Sequence, residues 1–129
     1  MFHITQNIRH RVFVEEQGIP SELEYDGNDE NATHYILYCN DEPIGTARWR
    51  FTVKGIKLER FAILKEFRNR GVGKYLLESV LKDVLKEKHS IYLHAQNNAV
   101  NFYIRAGFKI CGKAFVEAGI KHYKMTLET

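Results

Sequence analysis

The sequence predicts a single domain of the mixed α/β class, with a central, mainly antiparallel sheet flanked by helices. Three observations carry that reading. Strand-like apolar runs at 34–39, 44–53 and 56–64 follow one another with only turn-length breaks. A long amphipathic stretch then covers about 70–87. Strand, helix, strand and strand patterns complete the chain, an alternation that packs helices onto a sheet. At 129 residues the chain suits one substantial core.

Each element has its own local reason. Segment 6–17 sets Ile8, Val12 and Phe13 at helical spacing with Arg9, Arg11, Glu15 and Glu16 elsewhere, and Gly18 and the extended bias before Pro20 end it. Residues 21–31 are polar and turn-rich, a long loop of the kind that carries function. Asn40-Asp41-Glu42-Pro43 and Lys54-Gly55 supply the turns of an antiparallel meander. In the long helix Val72, Leu76, Val80 and Val84 form one stripe, with Leu77, Leu81 and Leu85 beside it. Ile91, Tyr92 and Leu93 mark a short buried strand over 90–95, and a helix over about 97–105 stops at Gly107. Strands near 109–116 and 121–127, turning at Gly119, finish the sheet.

Composition bounds the function. Hydrophobic residues make up 44% and charged residues 27%, a soluble globular balance. No apolar run approaches the length of a bilayer span, and residues 1–6 lack the features of a signal peptide, so the expectation is a cytoplasmic protein with no membrane partner. Cys39 and Cys111 fall in expected strands without metal-ligand spacing and read as small buried hydrophobes. The net charge of +3 comes with no long Lys/Arg block, which argues against a nucleic-acid partner. Much of the positive charge instead lies between Lys65 and Lys74, as a small polyanionic ligand would require.

That cluster surrounds Arg68-Asn69-Arg70-Gly71-Val72-Gly73, where a strand gives way to the long helix. Glycines at a helix start let backbone N–H groups approach a ligand, and those groups are the helix's unsatisfied donors. With Lys65, Arg68, Arg70 and Lys74 around them, they make a phosphate or pyrophosphate cradle. The stretch is neither a nucleotide-triphosphate loop, since Tyr75 follows Gly73-Lys74, nor a dinucleotide fingerprint, since Leu76 replaces the third glycine. Taken alone, it reads equally as a basic turn with solvated charges.

The run from Arg68 to Gly73 resembles the acetyl-coenzyme A motif of the GCN-related N-acetyltransferases (GNAT superfamily), Arg/Gln-x-x-Gly-x-Gly/Ala after a strand. Ala99, Tyr103, Gly107 and Phe108 resemble the family's later signature, in the expected order. The resemblance covers nearly the whole chain. It implies the acyl-CoA N-acyltransferase fold, acetyl-CoA as co-substrate, no metal, and transfer of acetyl to an amine by direct attack in a ternary complex. Family members usually open with a strand, and only residues 1–5 are left to supply one. A homodimer through the final strands is a further family-based expectation.

Carried over residue by residue, the resemblance assigns Phe61, Ala62 and Ile63 to the pantetheine arm and Arg68, Arg70, Gly71, Val72, Gly73 and Lys74 to the pyrophosphate. Gln96 stands where relatives place a cofactor-contacting asparagine. Tyr103 takes the place of the tyrosine that protonates the leaving sulfur, against the plainer reading that it packs a helix. Glu59 is the base or ammonium anchor, or else a strand residue paired with Arg60, Arg48 or Arg50. A narrower likeness to the ElaA-like acetyltransferases runs through Arg11, Phe13, Glu16, Gln17 and Pro20 and through Phe115, Glu117, Gly119, Ile120, His122 and Met125, with Lys121 where a proline is usual. It implies acceptor-site roles for Glu16, Gln17, His34, Glu117 and His122, while His34 and His122 each read equally as partly buried histidines satisfied by a backbone carbonyl. His3, His10, His89 and His94 show no metal spacing and receive no role. Should Glu16, Glu24, Asp26, Asp29 and Glu117 converge, they attract a cationic acceptor, a small molecule or a protein amine; they serve equally well to cap helices or to fix the loop through Asx-turns. Two rival classes stay open, a catalytically silent acyl-CoA-binding module and a nucleic-acid-binding domain.

Overall fold

A computed structural model describes residues 2–128. The chain begins with helix α1 (Phe2–Arg9), which runs into a π-helical segment, His10–Glu16, and then a single turn, α2 (Ser21–Glu24). The meander follows as β1 (Thr33–Cys39), β2 (Glu42–Thr52) and β3 (Gly55–Ile63). Helix α3 (Val72–Val84), strand β4 (Ile91–Gln96), helix α4 (Val100–Arg105), and strands β5 (Phe108–Ile110), β6 (Phe115–Glu117) and β7 (Ile120–Leu127) complete it. The strands join in the order β1-β2-β3-β4-β7-β5, with β6 also pairing β7. Every pairing is antiparallel except β3 with β4. The mixed α/β class expected from the sequence is the one observed.

Alternation along the strands sends Ala47, Trp49, Ile56, Leu58, Ile91, Leu93 and Met125 to one face. Leu76, Leu77, Val80 and Val84 of α3 and Val100 and Tyr103 of α4 cover that face and close the main core. On the other side, Ile8, Val12 and Phe13 pack on Ala62 and Leu64. The remainder of that second face is polar, carrying Arg48, Arg50, Lys57 and Glu59.

Four expectations need correction. Residues 2–5 are helical rather than strand, because Ile4 extends the stripe of Ile8 and Val12 back by one turn. Consequently no strand precedes α1 among the described residues. Segment 21–31 opens with the α2 turn before becoming loop. Span 109–116 divides into β5 and β6, both on β7, with Gly112 between them at φ +90°. Cys111 falls in that break and is exposed, whereas Cys39 lies in β1, half-buried.

The topology makes one site. Between β2 and β3 the register slips from Arg48↔Glu59 to Thr46↔Ala62, so Arg60 and Phe61 together oppose Ala47. Arg60 takes φ +56° at this bulge. Pairing of β3 with β4 covers only Ile56↔Ile91 to Leu58↔Leu93. Past that point β4 stays with β7 out to Gln96↔His122 while β3 stays with β2, so the parallel pair splays into a V.

Replacing Leu77, 2% exposed beneath the sheet, by alanine should destabilise the fold by about 2–4 kcal/mol in denaturant unfolding. Val53→Ala, at a fully exposed turn position, should stay within about 0.5 kcal/mol of the parent.

Candidate active site

At the mouth of the V, Gly71 caps α3 at φ +79° and ψ 2°, the left-handed conformation that disfavours other residues. The N–H of Tyr75 makes the bond to the Gly71 carbonyl at 3.1 Å. The N–H groups of Val72, Gly73 and Lys74 therefore precede the first N–H with an intrahelical partner and point out of the helix as free donors. Lys65, Arg70 and Lys74 are exposed around them, the Arg70 guanidinium 5.7 Å from the Phe67 ring centre. Arg68 is engaged: its Nε donates to the Ile63 carbonyl at 2.9 Å, and its terminal nitrogens hold both Glu16 oxygens at 2.5 and 2.7 Å. The hydrogen bond from Arg68 is the main cause that keeps the Glu16 carboxyl below its ordinary range. Glu16, expected at the acceptor end, thus sits beside the Arg68–Gly73 turn, because the π-helical segment directs it there.

Behind the turn the V encloses a cleft of about 620 Å³. Phe61, Ala62 and Ile63 form one wall, Ala95 and Gln96 the other, with Gly73, Phe102 and Tyr103 closing in from the helices. Gln17 reaches over from the end of the π-helical segment, and its Oε1 accepts from Gln96 Nε2 at 2.8 Å. Tyr103 is buried with its ring edge-on to Phe61, Phe102 and Phe108, at centroid distances of 6.3, 5.1 and 5.9 Å. Burial pushes its phenol well above the ordinary value, so it keeps its proton across the neutral range.

The far end of the cleft holds Glu117 and His122, together with His94, to which the sequence reading gave no role. His122 Nδ1–H donates to the Ile120 carbonyl at 2.7 Å. A carbonyl only accepts, so this bond selects the tautomer whose lone pair lies on Nε2, 3.7 Å from Glu117 Oε2. Glu117 Oε1 accepts from His94 Nδ1 at 3.3 Å, and this bond is the main cause of its lowered carboxyl pKa. His94 was legible in principle: it sits two residues before Gln96 on a strand and therefore shares its face. His34 is the converse case. Its Nε2 donates to the Asp29 carbonyl at 2.8 Å and its ring meets Phe2 at 5.0 Å, so it pins the loop and lies outside the cleft.

Glu59 lines the cleft too, but within a dense ion network. Its Oε1 accepts from Arg50 Nε at 2.7 Å and Arg48 Nε at 3.2 Å, and Lys57 Nζ lies 3.4 Å from Oε2. Burial pushes its carboxyl up, and these three cations outweigh that and hold it below its ordinary value. Fully buried Arg48 also binds Asp26 and Asp29, while buried Arg9 binds Glu24 at 2.5 Å and Asp29 at 2.6 Å. Arg60 completes the set against Glu24 and Asp26, at 2.8 and 3.3 Å, and so does not pair with Glu59. Glu24, Asp26 and Asp29 do converge, contrary to a cationic acceptor site, onto arginines of the protein itself.

Known proteins resemble this chain over nearly its whole length. The family model described as acetyltransferase (GNAT) domain matches residues 5–129. The uncharacterized protein YyaT of Bacillus subtilis (strain 168) is 40% identical over 131 residues, 98% of this chain and 88% of YyaT. The uncharacterized N-acetyltransferase YjcF of the same organism is 37% identical over 120 residues, covering 92% and 86%. Among solved structures, Escherichia coli ElaA superposes with a TM-score of 0.90 at 27% identity, over 98% of this chain and 90% of ElaA.

The ion network dictates an acid response. Asp26, Asp29, Glu59 and Glu16 all have folded-state pKa values below their ordinary 3.8 or 4.5. Such groups contribute stability that is complete above the unfolded values and lost as pH falls through the folded ones. The thermal midpoint should therefore stay flat down to about pH 5 and decline steadily below it, as read by circular dichroism across a pH series. A midpoint unchanged at pH 3 would contradict the network's role.

Proposed function

The chain belongs to the GNAT acetyltransferase family, and on that premise we propose that it moves an acetyl group from acetyl-CoA to a primary amine by direct attack in a ternary complex. One observation carries the proposal: a splayed strand pair that opens, at one end, on a helix start with free N–H groups and, at the other, on a histidine with its Nε2 lone pair available. The donors of Val72, Gly73 and Lys74, with Lys65 and Arg70 nearby, suit the diphosphate of coenzyme A. The β4-facing backbone of Phe61, Ala62 and Ile63, free of a strand partner on that side, suits the amides of a pantetheine arm. Acetyl-CoA, when bound, supplies the activated thioester.

The residues divide the proton work. Neutral Tyr103 donates its phenolic proton to the sulfur as the carbon–sulfur bond breaks. Its raised pKa keeps the proton on the phenol until negative charge develops on the sulfur. His122 Nε2 takes the proton that the amine gives up while forming the new carbon–nitrogen bond, and Glu117 stabilises the resulting imidazolium. Glu59, kept ionised by its three cations, has too little proton affinity to serve well as the base and acts instead as their counter-charge. Neither Cys39 nor Cys111 lines the cleft, so no acetyl-cysteine intermediate enters the scheme.

A panel of amines with acetyl-CoA, read by release of free thiol, tests the activity, and Tyr103→Phe tests the acid. The variant should lose turnover by about 10²- to 10⁴-fold while keeping its coenzyme A affinity. Thiol release from no amine, with coenzyme A still bound and insensitive to the substitution, would make the chain a silent acyl-CoA-binding module instead.

A further inference from the structure

Arg50 and Lys57 face one another directly across the β2–β3 ladder, on the same side of the sheet as Glu59. Like charges at directly opposed strand positions repel, so the pair requires a counter-anion. Among the described residues Glu59 is the only carboxylate within ion-pair distance of either, and it is shared with Arg48. The two side chains are 22% and 17% exposed, and both line the cleft. One carboxylate thus answers two open cations and part of a third. The wall keeps a surplus of positive charge where the sequence alone pointed to a cationic acceptor. Glu117 and His122 also line the cleft and present a carboxylate and an imidazole suited to an amine, with Glu117 near enough to Lys57 to feel its charge.

We propose that the acceptor is a small amino-carboxylate, such as an amino acid, whose carboxylate is held by Arg50 and Lys57 while its amine meets Glu117 and His122. This rests on the acetyltransferase reading above. A small acceptor is favoured because the cleft of about 620 Å³ must also admit the thioester arm. Arg50 directs Nε and Nη2 at Glu59, at 2.7 and 3.4 Å, which leaves Nη1 to bond a carboxylate while the flexible Lys57 ammonium meets it as a point charge.

The test uses matched pairs, each amino acid against its carboxamide and its decarboxylated amine, with acetyl-CoA and thiol release as the readout. Amino acids should exceed their carboxamides in kcat/KM by about tenfold or more, the usual range for a hydrogen bond to a charged group. Lys57→Met and, separately, Arg50→Gln should raise KM for the amino acids by about that factor while leaving KM for acetyl-CoA and for the carboxamides unchanged. Equal use of acid and carboxamide by the parent protein overturns the proposal, as does a variant that weakens both alike. Should no amine turn over, thermal protection in the presence of coenzyme A decides: amino acids that protect the parent but not Lys57→Met support the carboxylate site, and protection indifferent to the carboxylate, or none, overturns it. Failure of coenzyme A itself to protect strikes the acetyltransferase reading first and removes this proposal with it.

Discussion

Two residues of β3, Arg60 and Phe61, oppose the single Ala47 of β2, just past Leu58, where β3 has already parted from β4. A non-glycine residue in the left-handed region costs on the order of 1–3 kcal/mol and persists only where its surroundings over-determine it. Here the surroundings are ionic: Arg60 at φ +56° is bound to Glu24 and Asp26. The bulge lies along the stretch of β3 that borders the V, where the backbone facing β4 is unpaired and Tyr103 stands at the side of the cleft.

Arg9, Glu24, Arg48 and Glu59 of this network are buried, which requires explanation, since removing ions from water is expensive. The arrangement meets the expense by sharing. Arg48 reaches three carboxylates and Arg9 two, and each carboxylate is met by at least two cations. Arginine's rigid fork of donors makes this possible, and lysine at either position would leave acceptors unanswered. The network links α1, α2, the loop after it, β2 and β3, so the long polar loop is fastened in place instead of lying slack. Its acidic residues Asp26 and Asp29 pair with arginines of the protein itself.

The two ends of the cleft have opposite chemical character, and this separates their tasks. Tyr103 lies among Phe61, Phe102 and Phe108, where a proton is retained. His122 lies at the polar end, with its tautomer chosen by a backbone carbonyl and a carboxylate within 3.7 Å. In the proposed reaction these surroundings suit an acid at the dry end and a base at the polar end. Gln17 and Gln96, bonded across the gap, join the first helical segment to β4 between them.

Local pattern alone determined the helix over Val72–Val84, the meander, and the glycine start of α3, because periodicity, turn chemistry and backbone freedom act within a few residues. It also determined the family, through two motifs whose order and spacing survive any uncertainty about contacts. What Glu59, His34, Glu16, Glu24, Asp26 and Asp29 do was decided only by tertiary structure. An ionisable side chain does one thing beside an arginine and another beside a ligand, and the arginines in question arrive from 9 to 36 positions away along the chain, or farther. The same holds for His94 and for the opposed pair Arg50 and Lys57, whose meaning depends on strand register. Register is set by the bulge and the packing of whole elements, and it lies beyond the reach of any local window.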